Sequence, residues 1–448
     1  MRFAFAITAS AGLLGFLVSL GACTTSATAA GPAASATGAC APEWPARLSV
    51  SAGGRVALPR TADVTPDATV EASGVTALVK DGIVSVRAPA EAAEDLSVTL
   101  HCAASVRTVA VDVRPVTWEK LAGWEEATGA PAREYGAFWL DEQDGGGLVV
   151  FGGFHYVPKQ FTPANDAWRF DFAAKAWSPL AAPSPSPFRS GARAARIPGA
   201  RGVYLFGGSV PTTDGAVDTP PSLFRIDHDK TSLRHAEVAP LGAAPGSYTG
   251  AFVYDSKRQR WLSLCGADSK AFEMSCRVDA FTEGAGFRPI VTTGKEPDGR
   301  YGFHYAYDEE TDRVVLFGGQ VGTENDSQAN DTWALELAEE PARWVALVPS
   351  QKGPTKRRNG AFVLDPIGHR LLVWGGTPDG RVSVPGLQSL SLDRGAEAWS
   401  ELAVPAEVPV RTSGLAIHDP AGQRVVMGFG NGKAIYRDLW ALDVANAR

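Results

Sequence analysis

The sequence predicts an all-β protein: a six-bladed ring of four-stranded sheets, a β-propeller, preceded by a small β-sandwich. Three observations carry this. A phrase of apolar residues running into glycine recurs six times, with its first glycine at 152, 207, 266, 318, 375 and 428. A period of roughly 50 residues built from short strands is the sign of propeller blades. The chain is also turn-rich, with 48 Gly and 31 Pro in 448 residues, as an all-β fold requires. Finally, residues 40–115 hold short runs that alternate apolar and polar, the pattern of strands with one buried face.

The bulk numbers set the class. Hydrophobic residues make up 45% and charged residues 20%, ordinary for a globular protein with a large core. The formal net charge is −7, which gives no electrostatic reason to bind nucleic acid. Residues 1–22 read as a targeting segment, nearly all apolar from Phe3 to Leu20. Leu20-Gly21-Ala22-Cys23 resembles the bacterial lipoprotein signal, which implies cleavage before Cys23 and lipid on its sulfur. Membrane attachment is then through lipid only, in a cell envelope, with the outer membrane favoured. Residues 23–39, rich in Ala, Thr and Ser, read as a flexible tether.

Four further cysteines, Cys40, Cys102, Cys265 and Cys276, form an even set in an exported chain and favour two disulfides. The preferred pairing is Cys40–Cys102 and Cys265–Cys276. No CxxC pair or histidine cluster supports a metal site. In 40–115 the alternating runs are Arg47–Ser51, Ala68–Ala72, Ile83–Arg87, Leu96–Cys102 and Thr108–Val113. They resemble the Ig-like modules that precede functional domains in bacterial surface proteins, which implies a spacer.

From residue 116 each copy has four strand signals. A first strand such as Gly360-Ala-Phe-Val-Leu-Asp365 turns into the glycine phrase, as in Arg313-Val-Val-Leu-Phe317-Gly318-Gly319. An unalternating apolar run reads as a strand buried on both faces. A third strand follows, as in Asn330-Asp-Thr-Trp333-Ala-Leu-Glu336. A fourth begins with tryptophan, as at Trp177, Trp344 and Trp399. The last copy reaches Trp440-Ala-Leu-Asp443, and Trp118-Glu-Lys-Leu121 matches the fourth-strand pattern. Residues 117–122 are therefore expected to complete the sixth blade and close the ring. The third copy has Cys265-Gly266 in place of the glycine pair, with Cys276 in the loop that follows.

This pattern resembles the kelch repeat family, over about three quarters of the chain. Kelch rings include protein-binding scaffolds and sugar-active enzymes. The copper-radical oxidases among them need a Tyr–Cys crosslink and two copper-binding histidines, which this chain does not offer, so no cofactor is expected. Sialic-acid mutarotases are another exported kelch class, and an acidic-sugar mutarotase or epimerase is the alternative reading here. No G-x-S-x-G, H-E-x-x-H or P-loop motif points to catalysis.

One set of residues rises above the background. Arg133, Arg189, Arg300, Arg358 and Arg411 each stand two or three residues before the first-strand glycine. Equivalent positions surround one mouth of a ring. Several guanidiniums there would grip a carboxylate, phosphate or sulfate. Tyr301, with Tyr135 and Tyr248, would stack on a ligand, and His304 lies on a first strand facing the channel. The alternative is structural: the arginines tie one blade to another through carboxylates or carbonyls. Lys352, Lys356, Arg357 and Arg358 read together as a solvated loop. The resulting expectation is a monomeric, non-catalytic envelope protein. It would bind a protein segment or acidic glycan at the mouth, a purely structural envelope protein being a further alternative beside the sugar enzyme.

Overall fold

The computed structural model describes residues 40–445, apart from 66–67, 92, 103–104, 124–129, 144, 158–159, 184–188, 212–216, 221, 239–247, 269–272 and 325. Cys23, the leader and the tether lie outside the described residues. Among those described, every regular element is a strand.

Residues 40–114 form two sheets around one core. The first orders Arg47–Ser51, Val106–Arg114, Ser97–His101 and Thr69–Ser73; the second orders Arg55–Ala57, Ile83–Arg87 and Thr76–Lys80. Trp44, Val50, Val84, Val86, Val98, Leu100 and Val109 are all buried between them. The Cys40–Cys102 disulfide ties the first described residue to the end of a central strand. The strands at 55–57 and 76–80 have no counterpart in the sequence reading. One is three residues long, and the other, Thr-Ala-Leu-Val-Lys, does not alternate.

Six larger sheets follow, each built on four antiparallel strands; the fourth also carries a short parallel edge strand, Thr292–Thr293. In the first sheet the four are Ala137–Asp141, Gly147–Phe151, Ala167–Asp171 and Ala176–Leu180. The second to fifth start at Arg193–Arg196, Ala251–Asp255, His304–Asp308 and Ala361–Asp365. The sixth contains Leu415–Asp419, Arg424–Gly428 and Leu439–Asp443, and its outer strand is Trp118–Ala122, which pairs with 439–442. The earliest strand of this region thus seals the last sheet.

The core is divided into layers between sheets. Val149, Phe151, Leu205 and Ile226 join the first and second sheets, and Phe206, Trp261 and Phe281 join the second and third. Leu264, Val314 and Leu316 join the third and fourth, and Phe317, Leu371 and Val373 the fourth and fifth. Trp374, Met427 and Trp440 join the fifth and sixth, and Leu148, Val150, Val426 and Leu439 bring the sixth back to the first. Each glycine-phrase strand is sandwiched between two layers, which is why its sequence does not alternate. Each such side chain contributes about 1.5–3 kcal/mol by leaving water.

The third sheet departs from the sequence reading in one respect. Its second strand runs through Arg260–Ala267 and its third through Met274–Thr282, so Cys276 lies on a strand and not in a loop. The strand register shifts between Leu264 and Gly266, where Cys265 adopts a φ of 52°. The disulfide to Cys276 spans this bulge.

The two N-terminal sheets are fastened to the ring by charge. Arg55 donates to Glu310 and Asp393, each at 2.9 Å, and Arg87 donates to Asp393 and to the carbonyls of Gly368 and His369. In return, Arg370 of the ring donates to the Ala52 carbonyl at 2.7 Å. His369 sits between Asp393 at 3.1 Å and Asp308 at 3.0 Å. Burial works against a charged His369 ring, yet the hydrogen bonds to Asp308 and Asp393 outweigh it and raise its pKa.

Candidate functional site

The arginines come first, because the sequence singles them out. Arg133, Arg300 and Arg411 are at most 1% exposed. Each guanidinium forks a carboxylate of its own sheet: Arg133 with Asp166, Arg300 with Asp331 and Arg411 with Asp438, at 2.6–3.1 Å. Each also donates through Nη1 to a carbonyl of the glycine phrase, that of Gly152, Gly318 or Phe429. The same carboxylates accept the indole N–H of Trp168, Trp333 and Trp440, two residues on. Arg, Asp and Trp therefore form one clamp that binds first, second and third strands together. Asp331 feels opposing effects: burial raises its pKa, but the Arg300 bonds and charge lower it further, so it stays ionised. Arg189 is also buried, with its guanidinium 4.9 Å above the Phe224 ring. None of these four is presented to a ligand, which corrects the expectation of an arginine-lined mouth.

Arg358 is a different case. The clamp position in the fifth sheet belongs to Arg357, which is 3% exposed and donates to the carbonyls of Gly375 and Thr355. The reading of residues 352–358 as one solvated loop fails at this buried residue. Counting from glycine gave the wrong residue, because the position that recurs from sheet to sheet is a left-handed backbone residue. Tyr135, Gly191, Gly302, Asn359 and Ser413 all have φ between 55° and 69°, and a buried arginine stands two residues before each. In the second and fourth sheets glycine itself fills the position; elsewhere glycine comes one residue later.

These left-handed residues, with Thr249 at φ 46°, form a collar. Successive members are joined by backbone bonds: Gly191 N–H to Tyr135 O, Gly302 to Thr249, Asn359 to Gly302 and Ser413 to Asn359, at 2.6–3.0 Å. A left-handed β-branched residue such as Thr249 is costly and is held only because its surroundings fix it. At Gly191 a Cβ would also come within 3.0 Å of the Tyr248 ring, so glycine leaves that ring its place.

The side chains just before the collar residues converge. Tyr301 donates to Gln320 Oε1 at 3.0 Å and accepts from Arg358 Nη1 at 2.5 Å; Arg358 also donates to Gln320 Oε1. The rings of Tyr248 and Tyr301 lie 6.0 Å apart, and Asn359 Nδ2 donates to Tyr135 Oη at 3.1 Å. On the other side, Asn431 Nδ2 donates to Glu134 at 2.9 Å. Burial pushes the Glu134 carboxyl upward, partly held back by that bond, and burial followed by the Glu134 charge raises Tyr135. Arg358 is half-buried and makes no ion pair among the described residues, and its Nε–H has no acceptor there. The collar thus carries one cation without an ion pair among the described residues, three phenols, three carboxamides and one reluctant acid.

His304 does not join this group. It is fully buried, donates through Nδ1 to the Phe317 carbonyl at 3.1 Å and accepts the Gly360 N–H on Nε2 at 2.9 Å. Burial, and then the charge of Arg357, pull its pKa down to about 3. It is a neutral structural ring, which corrects its reading as a ligand contact. The sequence reading named Tyr301, Tyr135 and Tyr248, but missed Glu134, Gln320, Asn359 and Asn431. The useful signal was the residue beside each left-handed position, and left-handed positions filled by Tyr, Asn or Ser do not announce themselves.

Residues 282–448 match the family model described as the KLHDC2/KLHL20/DRC7 Kelch-repeats domain. Among solved structures, that of YjhT aligns with a TM-score of 0.51 at 14% identity, covering 71% of this chain and 95% of that one. At that identity the likeness is one of fold. No curated protein sequence matches the chain. The recurring glycine phrase, the strand order of the sheets, the kelch-repeat model over residues 282–448 and this structural likeness converge on the fold: the ring is a kelch-type β-propeller.

Proposed function

We propose that this protein is a non-catalytic binding protein of the bacterial envelope, recognising a protein segment or glycan that carries an acidic group at the collar. The observation that supports this reading is Arg358, a half-buried guanidinium whose partners, Tyr301 and Gln320, are neutral. A desolvated cation with neutral partners gains most from an incoming carboxylate or sulfate, which it grips with two parallel bonds. Tyr135 and Tyr248 supply flat faces for a sugar ring or peptide bond. The lipoprotein signal at Cys23 and an Ig-like spacer over 40–115 belong to the same proposal: they hold the ring off a membrane, as a monomer. The test is direct binding of defined probes, sialylated and uronic-acid oligosaccharides and Asp/Glu-rich peptides, to residues 40–448. The expected result is binding that weakens with salt and falls at least tenfold in Arg358→Gln, a change of about 1.4 kcal/mol or more. Binding that ignores Arg358 and salt would end this reading.

A second reading rests on Glu134, whose buried carboxyl is held toward its protonated form beside Tyr135. Such an acid suits proton transfer to a sugar ring, as an acidic-sugar mutarotase or epimerase needs. Exchange between anomers of an acidic sugar, followed by magnetization transfer with and without Glu134→Gln, decides between turnover and binding alone.

A further inference from the structure

The fifth sheet meets the N-terminal sheets across a cavity of about 560 Å³. Strand register decides which side chains the fifth sheet turns toward it. Leu387 pairs with Leu402, and both pack with Ala52, just past the strand Arg47–Ser51. Side chains alternate along a strand, so the next pair on that face is Ser389 with Ser400. Both line the cavity. Two leucines thus give way to two hydroxyls on one continuous face. The short side chains leave the space that a second apolar pair would fill.

These hydroxyls have no task within the chain. Ser389 is 2% exposed, and neither its Oγ nor that of the half-buried Ser400 has a hydrogen-bond partner among the described residues. Ser391, two residues on, is instead bonded to Asp393 and to the Ala396 carbonyl. A hydroxyl withdrawn from water and left unbonded is costly, and one that lines a cavity is satisfied by whatever enters it. Gly53 stands across from Ser400: a Cβ there would lie 3.8 Å from Ser400 Oγ. Its φ of 66° favours glycine, which keeps side-chain bulk out of the space facing that hydroxyl.

Arg87 sets the charge of the site, as the one charged residue among those lining it. Its guanidinium already donates to Asp393 and to the carbonyls of Gly53, Gly368 and His369. An anion gains little from a cation so matched, and a cation is repelled by it. What remains is neutral hydrogen bonding by Ser389 and Ser400, with Thr76 and Gln351 exposed at the rim. Val75 and Pro89 add an apolar wall from the N-terminal side.

We propose that this crevice binds a neutral sugar unit, its hydroxyls paired with Ser389 and Ser400 and its C–H face against Val75 and Pro89. The volume suits a small ligand at a junction between structural units. The site shares no residue with the collar and takes a ligand of different charge.

The experiment uses residues 40–448 and saturation-transfer NMR followed by titration. The neutral probes are glucose, galactose and N-acetylglucosamine. Glucuronate and glucosamine are their charged counterparts, and cyclohexanemethanol offers a ring with a single hydroxyl. At least one neutral sugar is expected to bind tenfold or more tightly than glucuronate, glucosamine and cyclohexanemethanol. Ser389→Ala combined with Ser400→Ala should weaken that sugar at least tenfold. Thr76→Trp, which places a bulky ring at an exposed wall position, should abolish its binding and leave the melting temperature unchanged. Should the double serine variant fail to fold, the probe ranking and Thr76→Trp decide alone. No saturable binding of any neutral sugar would mean that the hydroxyls hold only water, and would overturn the proposal. So would preference for a charged probe, equal binding of cyclohexanemethanol, or binding indifferent to Thr76→Trp and to the serine changes.

Discussion

The fifth and sixth sheets are neighbours with the same strand order, yet they treat their arginines in opposite ways. In the sixth, Arg411 is forked by Asp438 and lies between the Trp374 and Tyr436 rings, 4.6 Å from each. In the fifth, Arg357 occupies the same place with no carboxylate, and Arg358, one residue on, points a second guanidinium at neutral phenol and amide oxygens. A repeat position does not have a fixed role. What decides whether its arginine holds the sheet together is a partner some 27 residues downstream in the sixth sheet. Where that partner is lost, the arginine stays buried but is energetically unfinished.

The largest effect should come from breaking the complete clamp. Asp438→Ala leaves Arg411 buried without its counter-charge and the Trp440 indole without its acceptor. A loss of about 3–5 kcal/mol is expected, read as a lower denaturation midpoint. A loss below about 1 kcal/mol would show that the clamp is ornamental.

Next in size is an acid response that links the fifth sheet to the fourth. The His304 pKa lies near 3 in the folded chain, below an ordinary value of about 6.5, so the unfolded chain binds the extra proton first. The stability this ring contributes is complete above pH 6.5 and is lost as pH falls toward 3, by about 2 kcal/mol at pH 5. Part of the depression is the charge of Arg357. Arg357→Met should therefore shrink the drop in melting temperature between pH 7 and pH 5. An identical drop in the variant would detach the two residues.

At neutral pH the same Arg357→Met change should cost little, within about 1 kcal/mol, because it removes an uncompensated buried charge as well as three hydrogen bonds. A cost as large as that of Asp438→Ala would mean that Arg357 is paired in solution. Smallest of all, Arg358→Gln should leave the midpoint within about 0.5 kcal/mol while removing acidic-probe binding at the collar.

The fold was readable in the sequence where one residue type meets one physical demand. Runs such as Val314-Val315-Leu316-Phe317 can only be strands covered on both faces, and the tryptophans at 177, 344 and 399 mark outer strands. Trp118 betrayed the sealing strand in the same way. The site was less readable. Whether Arg357 or Arg358 is the clamp residue depends on the backbone conformation of Asn359, at φ 55°, and asparagine gives only a weak sign of that. The attachment of Arg55 and Arg87 to Asp393 joins residues more than 300 positions apart, and no local pattern encodes it.

That attachment has a mechanical side. The strand Trp118–Ala122 is the latch of the ring, and it lies directly after the N-terminal sheets in the chain. A pull on residue 40 would otherwise peel this latch from its neighbour one hydrogen bond at a time. Instead, Arg55, Arg87 and Arg370 tie the N-terminal sheets to the fourth and fifth sheets, and Arg114 donates to the Ala445 carbonyl beside the sixth. Tension entering at the N-terminal end spreads over several ion pairs loaded together before it reaches residue 118. The ring can be hung from one end of its chain without being unzipped by the load.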